Sequence, residues 1–228
     1  MPHAITRYLL LVTICLISLA AAPTTKPSIK IIDRPLAQSS PRQAGVVIDH
    51  LVLHFCSDCI AHPDHPFDID QQVKIFQTAK ASANYLIDRE GKVYRFVSED
   101  RVAWHAGSGH LPWDQALKSM NAKSIGIEMF AVGSAADMKL FGISKEKYDE
   151  FKAKHPEWVG FSDAQYATLN KLIPAIRGRH PEIKFDRFHI IGHEEWAGRG
   201  RRTDPGELFE WEKIGLTRER ATTQPAER

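Results

Sequence analysis

The chain has 228 residues, 43% of them hydrophobic and 25% charged, with a net charge of +2. That length holds one globular domain plus extensions, and the composition is that of an ordinary soluble protein. The net charge argues neither for nor against a polyanionic partner, but the lack of a basic stripe interleaved with aromatics argues against nucleic acid.

In chain order, Arg7 precedes an apolar run from Tyr8 to Ala22, and a polar, proline-containing stretch follows. This is the pattern of a secretory signal, with cleavage expected after Ala20. The run falls short of the ~20 residues a spanning helix needs, so no permanent membrane span is expected. The mature protein is expected to be exported, to the periplasm, the cell envelope or the medium. Residues 23–44 are rich in Pro, Ser and Thr and read as a linker lying against the domain.

"GVVIDHLVLHF" is β-branched and apolar, a buried strand ending near His54. "CSDCIAHPDH" follows, with Cys56, Cys59, His62 and His65 spaced three apart. Three readings stay open for it: a Cys56–Cys59 disulfide, which export favours, a second, structural zinc, or free thiols. Phe67, Val73 and Phe76 recur at helical spacing in the next segment. "NYLIDREGKVYRFV" predicts a hairpin turning at Arg-Glu-Gly, and "KSIGIEMF" another inner strand. The charged stretch 135–159 reads as either a lid or surface decoration. Ser162 and Gln165 form a capping box opening a helix whose buried face is Leu169, Leu172, Ile173 and Ile176. Pro174 inside that helix predicts a kink. "FDRFHIIGH" is the last strand, and residues 213–228 form a charged tail.

Strands alternating with helices imply an α/β domain over 45–212, a central mixed sheet flanked by helices. His54 and His193 both end strands, where open α/β sheets place ligands. Either histidine alone reads first as a polar cap. The pair, with Asp204 locked in "TDPG", shifts the reading toward a metal. Two imidazoles and a carboxylate suit Zn²⁺ and leave a fourth position open.

The blocks "VLHF", "SANYLIDREGKVYRFV", "AWHAG", "SIGIEMF", "FSDAQYATLNKLI" and "IGHEEWAGRGRRTDPGELFEW" together resemble the type 2 N-acetylmuramoyl-L-alanine amidases, a family that shares its fold with peptidoglycan recognition proteins. The resemblance covers roughly 45–211 in the right order. It implies hydrolysis of the amide joining muramic acid to the L-alanine of the peptidoglycan stem peptide, with peptidoglycan or muropeptides as partners and a monomeric protein. It places the zinc ligands on His54, His193 and Asp204 and the general base on Glu128. The cation that stabilises the transition state falls on Arg202. This chain departs from the pattern in having arginine rather than lysine at 202 and one extra residue between His193 and Asp204. It also has Ala83 where the phage branch carries a tyrosine.

Trp104 and His105 are candidates for lining the substrate groove, although Trp104 reads equally well as core. Asn84 reads as facing the cleft or simply solvent. The alternative to catalysis is a peptidoglycan-binding protein on the same fold. The filled ligand positions and Glu128 weigh against it.

Overall fold

The computed structural model describes residues 29–219; the expected signal segment and the end of the charged tail lie outside the described residues. In chain order the elements are β1 (Ile31–Asp33), β2 (Ser39–Pro41), β3 (His50–Leu53), α1 (Ile69–Ala79), β4 (Tyr85–Ile87), β5 (Val93–Arg95) and β6 (Arg101–Ala103). They continue with α2 (Met120–Lys123), β7 (Ser124–Met129), α3 (Ala135–Leu140), α4 (Lys145–Lys154), α5 (Asp163–Arg179), β8 (Ile190–Gly192) and α6 (His193–Ala197).

Six strands form one mixed sheet in the order β1-β5-β4-β7-β3-β8, and β2 pairs with β6 in a separate two-stranded ribbon. The β4–β5 hairpin is the antiparallel pair; β7, β3 and β8 run parallel. Asp88 shapes the hairpin turn, its Oδ1 accepting from the N–H groups of Glu90 and Lys92.

Side chains alternate across the sheet, as a strand period of two requires. Leu51, Leu53, Ile125, Ile127, Tyr85 and Ile87 pack against Leu169, Leu172, Ile173 and Ile176 of α5. The helix begins as expected, with both halves of the Ser162–Gln165 capping box made. It runs through Pro174 as one helix. Pro174 and Asn170, whose carbonyl loses its partner, both lie on the exposed side, so water can satisfy that carbonyl while the opposite stripe packs. The other sheet face meets α1 and the loops after β6. There Leu86 packs with Phe76 and Phe96, and Val52 with Leu111, Met120 and Trp196. Residues 135–159 become α3 and α4, anchored by Met138 and Tyr148 against Phe55 and Val132.

Residues 29–44, expected as a linker, are instead part of the fold. β1 pairs with β5 and β2 with β6. Arg42 donates to the carbonyls of Glu99, Arg101, Ser124 and Ala122. Strands of three residues are too short to leave a periodic signature, and their partners lie more than fifty residues away in sequence.

Candidate metal centre

The register of the sheet assembles the site. Leu53 pairs with Ile127 of β7 and with Gly192 of β8, so the next rung carries His54, Glu128 and His193. Neighbours on one rung of parallel strands point to the same face, here the one opposite α5. All three side chains are more than nine-tenths buried.

Asp204 reaches them from the loop after α6. Its carbonyl accepts from the Glu194 N–H at 3.0 Å, and Gly206, with φ +82°, turns the chain away just beyond it. Asp204 Oδ2 lies 2.8 Å from His54 Nδ1 and 3.0 Å from His193 Nδ1. Burial pushes the Asp204 carboxyl upward, but the adjoining His193 and His54 outweigh it and hold it well below the usual carboxylate range. Burial lowers His54 in turn, against the raising effect of Asp204.

This donor set fits a metal ion. His193 Nε2 lies 3.0 Å from the Ala106 carbonyl oxygen, which can only accept, so Nε2 carries the hydrogen. In neutral His193 the Nδ1 lone pair then faces a carboxylate oxygen, and two acceptors at that distance need a cation between them. Donor atoms of His54, His193 and Asp204 all lie within 4.8 Å of one another. Two imidazoles and one carboxylate, with room for a fourth ligand, match a catalytic zinc site.

Glu128 completes the group. Its Oε2 is buried without a partner. Burial and the Asp204 charge push its carboxyl up to about 8, against the opposing effects of Cys56 and Arg202. Arg202 is thus near enough to act on Glu128 and His54, its Nη1 donating to the Arg201 carbonyl. Arg201 turns elsewhere, onto the carbonyls of Ser108 and Ala197.

The expected Cys56–Cys59 disulfide is not formed; both cysteines are free. The Cys56 thiol turns inward to Glu128, and burial followed by that neighbour raises it well above the ordinary thiol value. Cys59 Sγ instead accepts from Ser57 Oγ at 3.3 Å and packs with Phe55 and Met138. His62 pairs with Asp58. Among the described residues only His54, His193 and Asp204 form a group able to hold a metal, so the second-zinc reading is not realised.

The three groove candidates separate. Trp104 is 38% exposed. His105 lies against the site, Nδ1 3.0 Å from His54 Nε2. Asn84, expected to face the cleft, is fully buried. It accepts from the Gly126 N–H and donates to the Val97 and Ser98 carbonyls, bracing strands beneath the site. Sequence reasoning missed the Cys56 contact, because the CxxC spacing pointed to a disulfide. It also missed the Ala106 carbonyl, which leaves no side-chain signal.

The chain matches the profile of the Amidase_2 family, described as N-acetylmuramoyl-L-alanine amidase, over residues 40–207. It is 31% identical over 134 residues to the 1,6-anhydro-N-acetylmuramyl-L-alanine amidase AmpD of Haemophilus influenzae, a match covering 59% of this chain and 56% of that protein. The chain therefore spans little more than half the length of that relative. Among solved structures it resembles a selenomethionine AmpD derivative, with a TM-score of 0.57 and 25% identity over 80% of this chain and 91% of that one. It also resembles AmiD of E. coli, solved in complex with the substrate anhydro-N-acetylmuramic acid-L-Ala-D-gamma-Glu-L-Lys. That likeness has a TM-score of 0.53 and 25% identity, and covers 77% of this chain and 60% of that one.

Proposed function

Because the chain belongs to the Amidase_2 family of N-acetylmuramoyl-L-alanine amidases, we propose that it is a zinc-dependent hydrolase of the amide between N-acetylmuramic acid and the L-alanine of peptidoglycan stem peptides. The observation that carries this reading is the convergence of His54, His193 and Asp204 beside the unpartnered Oε2 of Glu128.

An amide resists hydrolysis because its carbonyl is a weak electrophile and its nitrogen a poor leaving group. His54, His193 and Asp204 would hold the zinc, which would supply Lewis acidity to the carbonyl and to the attacking water. Glu128 takes the proton of the attacking water on Oε2 and delivers it to the departing nitrogen. The Arg202 guanidinium faces the oxygen as it becomes negative, a contribution of about 3 kcal/mol if it acts as other oxyanion donors do. Asp204 stays ionised throughout and would supply the third ligand beside the two imidazoles.

We further propose export, on the strength of Arg7 and the apolar run that follows it. Amino-terminal sequencing of the protein recovered from its native cell checks this, and a mature chain still bearing Arg7 rules it out.

The decisive experiment incubates purified protein with intact peptidoglycan and with anhydro-muropeptides and identifies the products by mass spectrometry. Stem peptides with a free L-alanine amino group are expected. Activity should vanish on chelation and return with zinc, and His193→Ala should lose both zinc and hydrolysis. Full turnover by a metal-free preparation would overturn the zinc reading.

A further inference from the structure

We propose that His105 is a positioning residue that fixes the tautomer of His54, through a relay running from His54 to His105, Ser124 and the Met120 carbonyl. This rests on the zinc reading above and assigns His105 a task different from lining the groove.

The relay follows from which atoms can donate. Ser124 Oγ lies 2.6 Å from the Met120 carbonyl oxygen. Two oxygens that close share a proton, and only the hydroxyl has one, so Ser124 donates to Met120. Its Oγ therefore accepts from the other neighbour, His105 Nε2, at 3.2 Å. With hydrogen on Nε2, neutral His105 presents a lone pair at Nδ1. That atom lies 3.0 Å from His54 Nε2, which must then donate. The remaining nitrogen of neutral His54 is Nδ1, free of hydrogen and facing Asp204 Oδ2. The ligand atom is thus bared by a chain of hydrogen bonds that ends at a backbone carbonyl.

The rings are oriented for this. His54 and His105 have centroids 5.1 Å apart and planes at 86°, and with the two nitrogens 3.0 Å apart both lie close to the line joining the ring centres, so the N–H of one ring meets the in-plane lone pair of the other. The His105 and Ala106 N–H groups both donate to Asn121 Oδ1, at 3.1 and 2.8 Å, which fixes the loop. The His105 ring lies directly over β7 at Gly126, where a Cβ would come within 2.5 Å of it. That glycine sits mid-strand, a position where glycine marks a close approach. Both His105 nitrogens are engaged, so neither is left for substrate.

The two ligand histidines are therefore oriented by different means. A backbone carbonyl sets His193, whereas a replaceable side chain sets His54. Removing such an outer partner of a metal ligand typically weakens metal binding about 10–100-fold.

The test measures zinc affinity by competition with a chromophoric chelator, with circular dichroism as a folding check. His105→Phe should lose about 10–100-fold in affinity. His105→Gln, whose Oε1 can still accept from His54, should keep most of the wild-type value. Independently, nitrogen NMR of the histidine side chains should find the His105 hydrogen on Nε2 and none on Nδ1. A hydrogen on Nδ1, or a folded His105→Phe variant binding zinc as tightly as wild type, overturns the relay. A wild-type protein that binds no zinc defeats the functional reading instead. The His105 tautomer, read in the metal-free protein at alkaline pH, then still decides the relay.

Discussion

Glu128 and Arg202 are the two side chains whose roles separate most cleanly by substitution. Glu128→Gln keeps size and hydrogen bonding but removes the basic oxygen. Turnover should fall by about 10²–10⁴ while zinc stays bound, since general-base catalysis supplies a factor of that size. A metal assay beside kcat checks this, and wild-type turnover would mean that another group is the base. Arg202→Ala should cost about 10²–10³ in kcat with little change in KM, because the charge it meets exists only in the transition state. Arg202→Lys should retain much of the activity, the cation being what counts. Arg201→Ala is the control, since Arg201 is committed to the Ser108 carbonyl. If the Arg201 variant is crippled and the Arg202 variant is not, the loop is read one residue out of register.

At the scale of elements, Glu99 ties the end of the β4–β5 hairpin to the end of α5. Its carboxylate accepts from Tyr85 Oη at 2.7 Å, from Arg179 Nε at 2.9 Å and Nη2 at 2.7 Å, and it pairs with His180 Nε2 at 2.7 Å. Burial raises the Glu99 carboxyl, but Arg179, Tyr85 and His180 outweigh it and the net shift is downward. A carboxyl depressed in the folded state adds stability above its unfolded value. That stability disappears as pH falls through the folded one. Arg179 is half exposed, so screening trims its share. Glu99→Gln should therefore cost about 1–2 kcal/mol at pH 7, and urea titrations should find the gap closing below about pH 4. The same contacts turn Tyr85 toward α5, away from the metal centre, so it does not replace the tyrosine absent at Ala83.

Across the whole molecule, what the sequence made legible was what long range order leaves in local pattern. β3 and β7 are buried on both faces and read as apolar runs. Ser162 and Gln165 declare the start of α5, and His54, Glu128 and His193 stand at or just past the ends of strands. Other features depended on partners the sequence does not bring near. Asn84 read as facing the cleft or solvent, yet it is buried, because the chain around Val97 and Ser98 closes over it. Segment 29–44 looked like a linker because its strands acquire meaning only from β5 and β6. Its importance can be measured through Arg42, which satisfies carbonyls of the loop before β6, of β6, of α2 and of β7. Arg42→Met should cost about 1–3 kcal/mol by stranding those acceptors, a fall in Tm of roughly 2–12 °C for a domain of this size.

The shared rung of His54, Glu128 and His193 has a consequence for how the chain tolerates insertions and deletions. Removing one residue within β3, β7 or β8 reverses the parity of everything downstream on that strand, and the corresponding side chain swings into the packed layer beneath α5. Asp204 is under no such constraint. Its carbonyl is tied to the Glu194 N–H, and the span from Gly198 to Thr203 only has to bridge two fixed points. A chain can therefore lengthen there by a residue and still return its carboxylate to the same two imidazoles.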